Sequence, residues 1–350
     1  MSVMALLLKC VVAAIVSLLI GTYAYAGGQA EEQPANAILQ QPRLTVLYDA
    51  FGKPSEMEKD WGYSALIELG GRRILFDTGN DAVVFANNVK AKGIDLATID
   101  FVVMSHRHSD HIGGLSHVLS INPRVKIYAP KEGFGIFGSS LPSSFYRKAE
   151  TLPAETRYFD GAPQETMKFG TAWQGANFEL IEKTTEIAAG IHLIALVSDR
   201  PGTLELKELS LAIDTPQGLL LIVGCSHPSV ARIVEAASAI NKRIHLIAGG
   251  LHLVVTQDPD ISKIVTMLHD DYHVEWIAPG HCTGEPAFAA LQHAFGDRYL
   301  YAGLGTTIGL GGNPRAELWN GSKFAMDQED LRTYRDIRRR DLINFGRPQK

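Results

Sequence analysis

DFVVMSHRHSDHIGGL, residues 100–115, sets a short apolar run against a loop crowded with polar side chains. DFVVMS (100–105) reads as a buried strand and GGLSHVLSI (113–121) as a helix. Between them, His106, His108, Asp110 and His111 offer four metal ligands within six residues. Neutral imidazole and carboxylate suit zinc, and a tight loop can turn alternate residues toward different ions. Satisfying so many polar side chains in one turn without a cation is difficult, so the run reads as a metal-binding loop.

Six residues cannot close a site for two ions by themselves. Three more histidines follow apolar strands in short polar turns: GCSH (224–227), GGLH (249–252) and PGHCTG (279–284). Strand ends of this kind are where layered α/β folds gather their sites. His192 and His245 open strands, while His117, His269, His273 and His293 lie on or beside helices, so these six read as core or surface residues.

The rest of the chain alternates between strand-like and helical runs. LTVLYD (44–49) is a strand, and SALIEL (64–69), Gly70-Gly71 and RRILFD (72–77) form a hairpin. Strands are also expected at 125–129, 191–196, 209–214, 218–224, 244–249 and 274–279, with helices at 82–92, 228–240, 260–270 and 285–295. Residues 131–178 show no clear period and read as an insertion forming a substrate lid, with Phe134, Phe137, Phe145, Tyr146 and Trp173 as wall residues, the alternative being that these aromatics form a satellite core. GLGTTIGLGG (303–312) reads as turn-forming. EDLRTYRDIRRRDLINF (329–345) is a helix with a solvated basic face.

Composition narrows the function classes. The 350 residues include 33 Lys or Arg, 38 Asp or Glu, 12 His and 3 Cys, with a net charge of −5 and 46% apolar residues. That balance excludes a disordered chain, argues against a nucleic-acid binder, and leaves too few cysteines for a disulfide scaffold. CVVAAIVSLLIGTYAYA (10–26) carries no charge, follows Lys9, and ends in Ala24-Tyr25-Ala26. This is the pattern of a secretory signal cut after Ala26, with an N-terminal membrane anchor as the alternative. The expected organisation is a signal at 1–26, a flexible tether at 27–42, one domain at 43–312 with the insertion 131–178, and a C-terminal helical extension at 313–350. The expected location is periplasmic or secreted, with no membrane contact after cleavage. Cys225 and Cys282 then remain, as free or metal-bound thiols in preference to a disulfide.

The H-x-H-x-D-H run after an apolar strand, preceded by ILFDTG (74–79), resembles the metallo-β-lactamase superfamily. WGYSALIE (61–68), ILFDTGN (74–80), residues 93–115, VGCSHPSV (223–230), AGGLHL (248–253) and PGHCTG (279–284) are similar to one branch of it, the 7,8-dihydropterin-6-yl-methyl-4-(β-D-ribofuranosyl)aminobenzene 5'-phosphate synthases, with GCSH, GGLHL and HCTG together pointing to that branch. The resemblance implies an α/β αββα sandwich with two divalent metal ions at one edge, expected to be Zn2+, with Fe and Mn as alternatives. It implies that His106 and His108 hold one ion, that Asp110 and His111 hold the other, and that His281 completes the second site. Asp77 supports the metal loop without being a ligand. The chain departs from the usual pattern in the middle ligands, because GLLLIVG (218–224) is followed by Cys225 instead of Asp and the segment before that strand, SDRPGTLE (198–205), has no histidine. The missing first-site ligand is therefore assigned to His227. Cys225 is either a thiolate ligand or bridge, or a small buried residue beneath the site. His252 lines the pocket, orients a ligand or binds metal.

The leading expectation is a metal-dependent hydrolase acting on a small-molecule ester or phosphoester, with Asp110 catalytic. Neither a G-x-S-x-G elbow nor a Walker-type phosphate loop is present to compete. The alternatives are a transferase that condenses a dihydropterin pyrophosphate with an aminobenzene riboside phosphate, and a metal-binding protein without catalysis.

Overall fold

The computed structural model describes residues 41–131, 139–169, 173 and 175–318. The expected signal, all but the end of the tether, Phe134, Phe137 and the helix at 329–345 lie outside the described residues. No helix among the described residues is long and apolar enough to cross a membrane.

Alternating apolar residues from Arg43 onward build a meander. β1 (Arg43–Tyr48) pairs antiparallel with β2 (Ser64–Leu69), and β2 with β3 (Arg72–Phe76). Gly70 and Gly71 turn this hairpin at φ of 60° and 76°, where a Cβ would be strained. β4 (Phe101–Val103) and β5 (Lys126–Pro130) continue in parallel. β6 (Ser139–Pro142) and β7 (Thr166–Phe169) pair as a separate hairpin inside the insertion. β8 (Asn177–Ile181) lies parallel to β5.

The second sheet begins with β9 (Thr185–Ala188), β10 (Ile191–Val197), β11 (Lys207–Thr215) and β12 (Gly218–Val223), all antiparallel. β13 (Ile244–Gly250) and β14 (Trp276–Gly280) add parallel to β12 through helical crossovers. β15 (Thr307–Gly309) and β16 (Arg315–Glu317) return to the first sheet beside β1. The orders are β16-β15-β1-β2-β3-β4-β5-β8 and β14-β13-β12-β11-β10-β9.

Leu44, Val46, Ile67 and Phe76 meet Leu193, Leu211, Leu220 and Leu246 between the sheets. Each buried side chain of this size contributes about 1.5–3 kcal/mol. The helices Ala82–Ala91 and Leu115–Ile121 cover the outer face of the first sheet, and Val230–Ile240, Asp258–Thr266 and Glu285–Phe295 that of the second. Asp81 caps the first of these, accepting from the backbone N–H of Val83 at 2.7 Å and Val84 at 3.0 Å. The architecture is the four-layer αββα sandwich that the family resemblance implied.

Three local readings are corrected. The insertion contains β6 and β7, and its end is β8, an edge strand of the first sheet. GLGTTIGLGG holds β15, and the sheet continues past residue 312 because Arg315–Glu317 pairs with it. Trp173, just before β8, packs like Val84 and Phe178 against the core on the outer face of the first sheet.

Strand direction gathers the chemistry at one edge. β1, β3 and β4 run the same way, so Asp49, Asp77 and Ser105 emerge together from the first sheet. β12, β13 and β14 are parallel, so Cys225, Leu251 and His281 emerge together from the second. β11 runs against β12, which brings Glu208, near its start, to the same edge.

Candidate metal centre

The loop after β4 turns into a short helix, Ser109–Ile112, carrying Asp110 and His111. His106, Asp110, His111, His227 and His281 are all buried. His106 Nε2 and His108 Nδ1 are 3.1 Å apart, and His227 Nε2 lies 3.3 Å from the first and 3.1 Å from the second. In a tetrahedral zinc site with Zn–N of about 2.0–2.1 Å, neighbouring nitrogens stand about 3.3–3.4 Å apart. The three nitrogens therefore form a face that fits such an ion. Burial holds His106 and His227 well below the usual imidazole pKa and His108 at about 4, which keeps their lone pairs free.

A second group stands beside it. His111 Nε2 lies 3.2 Å from His281 Nε2, and Asp110 Oδ2 lies 3.3 Å from His281 Nε2 and 3.8 Å from His111 Nε2. Cys225 Sγ is 3.2 Å from His111 Nε2. Burial disfavours the charged form of His281, but Cys282 and Asp110 outweigh it and raise the imidazole pKa to about 9. Burial likewise opposes the Asp110 carboxylate, and His111 and His281 overcome it and hold its pKa below the usual range. Asp110 Oδ1 is buried with no hydrogen-bond partner among the described residues.

Buried carboxylates hold the loops in place. Asp77 accepts from the Ser105 backbone N–H and hydroxyl, both at 2.7 Å, and from His111 Nδ1–H at 2.7 Å. The Ser105 oxygen in turn accepts from His106 Nδ1–H at 2.8 Å. With Nδ1 donating on both rings, each Nε2 presents its lone pair to the site. Asp49 accepts from the His281 backbone N–H at 2.8 Å. Glu208 accepts from the backbone N–H groups of Cys225, Ser226 and His227 at 3.1, 2.6 and 2.8 Å. Desolvation raises both Asp49 and Glu208 to a pKa of about 7.

The turns are also sterically particular. Ser226, His252 and His281 take left-handed φ of 65°, 51° and 46°, as does Asp77 at 56°. A Cβ on Gly224 would stand 2.3 Å from Ser105 Oγ, so the two sheets approach too closely there for any other residue.

The structure brings every expected site residue to this edge. His252 joins neither histidine group; its ring lies 4.2 Å from that of His227, and it clusters with Cys225 and Cys282. The two cysteines are free, with their sulfurs 3.3 Å apart. Asp49, Glu208 and Ser105 were missed. A single acidic residue inside the otherwise apolar run ELSLAI was the available signal for Glu208. The aromatic wall was read only in part: Trp61 stacks on Tyr146 at 5.5 Å, meets Tyr158 at 4.7 Å, and lies 5.2 Å from the His281 ring. Glu285 accepts from the Tyr158 backbone N–H at 3.3 Å and also from that of Ala149, tying the insertion to the site. His245 is an ordinary core histidine, paired with Glu275 at 2.7 Å.

A chain of mixed strands layered between helices, with paired imidazole clusters at one sheet edge, already narrows the comparison. Residues 72–180 match the β-lactamase superfamily domain. A solved metal-dependent hydrolase of the β-lactamase superfamily, Tm1679, is 28% identical, covers 75% of this chain and 97% of its own, and superposes with a TM-score of 0.56. The protein has the metallo-β-lactamase fold. The 7,8-dihydropterin-6-methyl-4-(β-D-ribofuranosyl)-aminobenzene-5'-phosphate synthase of Methanocaldococcus jannaschii is 29% identical over 292 residues, 74% of this chain and 94% of that relative. An uncharacterized protein of the same organism is 29% identical over 264 residues, 71% of this chain and 93% of the relative. Within this metallo-β-lactamase fold the chain thus resembles the synthase branch along most of its length.

Proposed function

We propose that this protein is an exported hydrolase that uses two divalent cations, Zn2+ first among them, to cleave an ester or phosphoester of a small molecule. The observation that carries the reading is the pair of adjacent donor sets, His106/His108/His227 and Asp110/His111/His281, each within 4.8 Å among its own donor atoms. Cations held there lower the pKa of a water toward neutrality and offset charge developing on an attacked carbonyl or phosphoryl oxygen.

The chain's own residues supply the rest. His106, His108 and His227 present neutral nitrogens, with His106 held by Ser105 and, through it, Asp77. His111, fixed by Asp77, aims Nε2 at the second position. Asp110 would hold the second cation together with His111 and His281, its Oδ1 being buried without a hydrogen-bond partner among the described residues. Trp61, Tyr146 and Tyr158 wall the approach and exclude bulk water. No serine or cysteine nucleophile is required.

A second reading, a dihydropterin pyrophosphate-dependent transferase, is favoured by the match to the synthase over 94% of that relative. The uncharged run before Ala26 supports export and weighs against phosphorylated intracellular substrates. The test loads the purified chain with zinc, manganese or iron and presents phosphodiester, phosphomonoester, lactone and β-lactam panels, each with and without chelator. Chelator-sensitive turnover that Asp110→Ala abolishes is expected. Activity confined to a pterin pyrophosphate plus an arylamine would establish the transferase instead.

A further inference from the structure

Cys225, His252 and Cys282 stand just beyond the ends of the adjacent parallel strands β12, β13 and β14. Their donor atoms lie within 4.8 Å of one another, and the two sulfurs are 3.3 Å apart. Both thiols are free and buried. The turns pack tightly around the sulfurs: a Cβ on Gly250 would stand 2.3 Å from Gly224 O and 2.9 Å from Cys282 Sγ, so only glycine fits at the end of β13. His252 holds a left-handed φ of 51° beside it, and its Nδ1 is buried without a hydrogen-bond partner among the described residues.

The chemistry of this set differs from that of its neighbours. His106/His108/His227 and Asp110/His111/His281 offer nitrogen and oxygen, whereas two sulfurs and an imidazole favour a thiophilic d10 cation. We propose that Cys225, His252 and Cys282 hold a third cation of that class, Zn2+ or Cd2+, additional to the two held by the histidine and aspartate sets. Cys225 Sγ, 3.2 Å from His111 Nε2, is shared between the new position and the second one. Both thiols enter as thiolates, so each protonated sulfur releases its proton to solvent as the cation binds. The site extends the hydrolase reading without depending on it.

The test titrates the full chain, stripped of metal and kept reduced with a non-thiol reductant, with cadmium chloride alone. Bound cadmium is counted by elemental analysis, and thiolate-to-cation charge transfer is followed by ultraviolet absorption. Three equivalents are expected, one of them lost in Cys282→Ser together with about half of the charge-transfer band. His252→Ala should weaken that same equivalent at least ten-fold and leave the others. A wild-type chain that saturates at two equivalents, one lost in His106→Ala and the other in His281→Ala, overturns the proposal, as does a Cys282→Ser chain with unchanged stoichiometry and absorption. The wild-type stoichiometry read against those two histidine variants does not involve a cysteine variant, so a poorly folding Cys282→Ser does not shelter the idea. His106→Ala reads the neighbouring site separately: it should lose a different equivalent with the charge-transfer band intact, so failure of either reading is visible on its own.

Discussion

Glu208 accepts the backbone N–H of His227 at 2.8 Å while the same carboxylate holds Cys225 and Ser226, so one side chain from β11 fixes the whole turn that follows β12. Removing it leaves three buried donors without an acceptor, at a cost of about 1–3 kcal/mol each. Glu208→Gln keeps an acceptor oxygen but turns an amide N–H toward the same donors. Zinc affinity at the first position should fall about 10–100-fold in Glu208→Gln, as for other groups that orient ligands. Competition titration against a chromogenic chelator measures it, and an unchanged affinity would show that the turn holds its shape unaided.

His227 and His281 should separate the two histidine positions. His227→Ala is expected to remove one zinc equivalent and His281→Ala another, each with the αββα fold preserved by circular dichroism. Loss of both ions from either variant would mean that the positions fill as one unit.

Asp77→Asn tests the support of the metal loop. The amide cannot accept from Ser105 and His111 together as the carboxylate does, so metal affinity should drop about 10–100-fold, with kcat falling further than KM rises. A variant with normal metal content and normal kcat would remove Asp77 from the site.

The metal-free chain should lose stability as pH rises from about 6.5 to about 9. His281 is raised to about 9, against burial, by Cys282 and Asp110, and burial raises Asp49 and Glu208 to about 7. Groups with raised folded pKa values stabilise below their unfolded values and lose that contribution as pH climbs through the folded ones. His106, His108 and His227 are lowered by burial and act in the opposite sense, but only below their ordinary value of 6.5. Cys282, held below its ordinary value by Cys225 and His281 against burial, also acts in the opposite sense and offsets part of the loss up to about 9. Urea midpoints of chelator-treated protein at pH 6.5 and 9 give the comparison. Asp110→Asn, which removes a partner of His281, should flatten the slope.

The export reading predicts a mature chain that begins at Gly27. N-terminal sequencing of protein recovered from the periplasm or medium checks it, and a full-length chain retained in the membrane fraction would favour the anchor.

Much of the site was legible because its ligands are chemically conspicuous. Four of them crowd into residues 106–111, and His227 and His281 close short turns after apolar runs. The strands of the two sheets were legible for a similar reason, being bounded by glycine and by abrupt changes of polarity. Asp49 and Glu208 were not, because their role is to accept backbone N–H groups from loops far away in sequence, and a lone acid at a strand end carries no local mark of its partner. β8, β15 and β16 escaped because short strands with exposed residues show little alternation. The aromatic wall depended on how the insertion lies over Trp61, which only the fold reveals.

His111 and His281 meet across 170 residues of chain, one from each sheet. Neither sheet alone supplies both halves of the centre, and the pair exists only once the sheets have closed on each other. Metal capture is therefore a final event, a report that assembly is complete, and a cation offered early finds only the partial grip of residues 106–111. Under the proposed export, the compartment in which the chain folds, and not the one in which it is made, would decide which metal it carries.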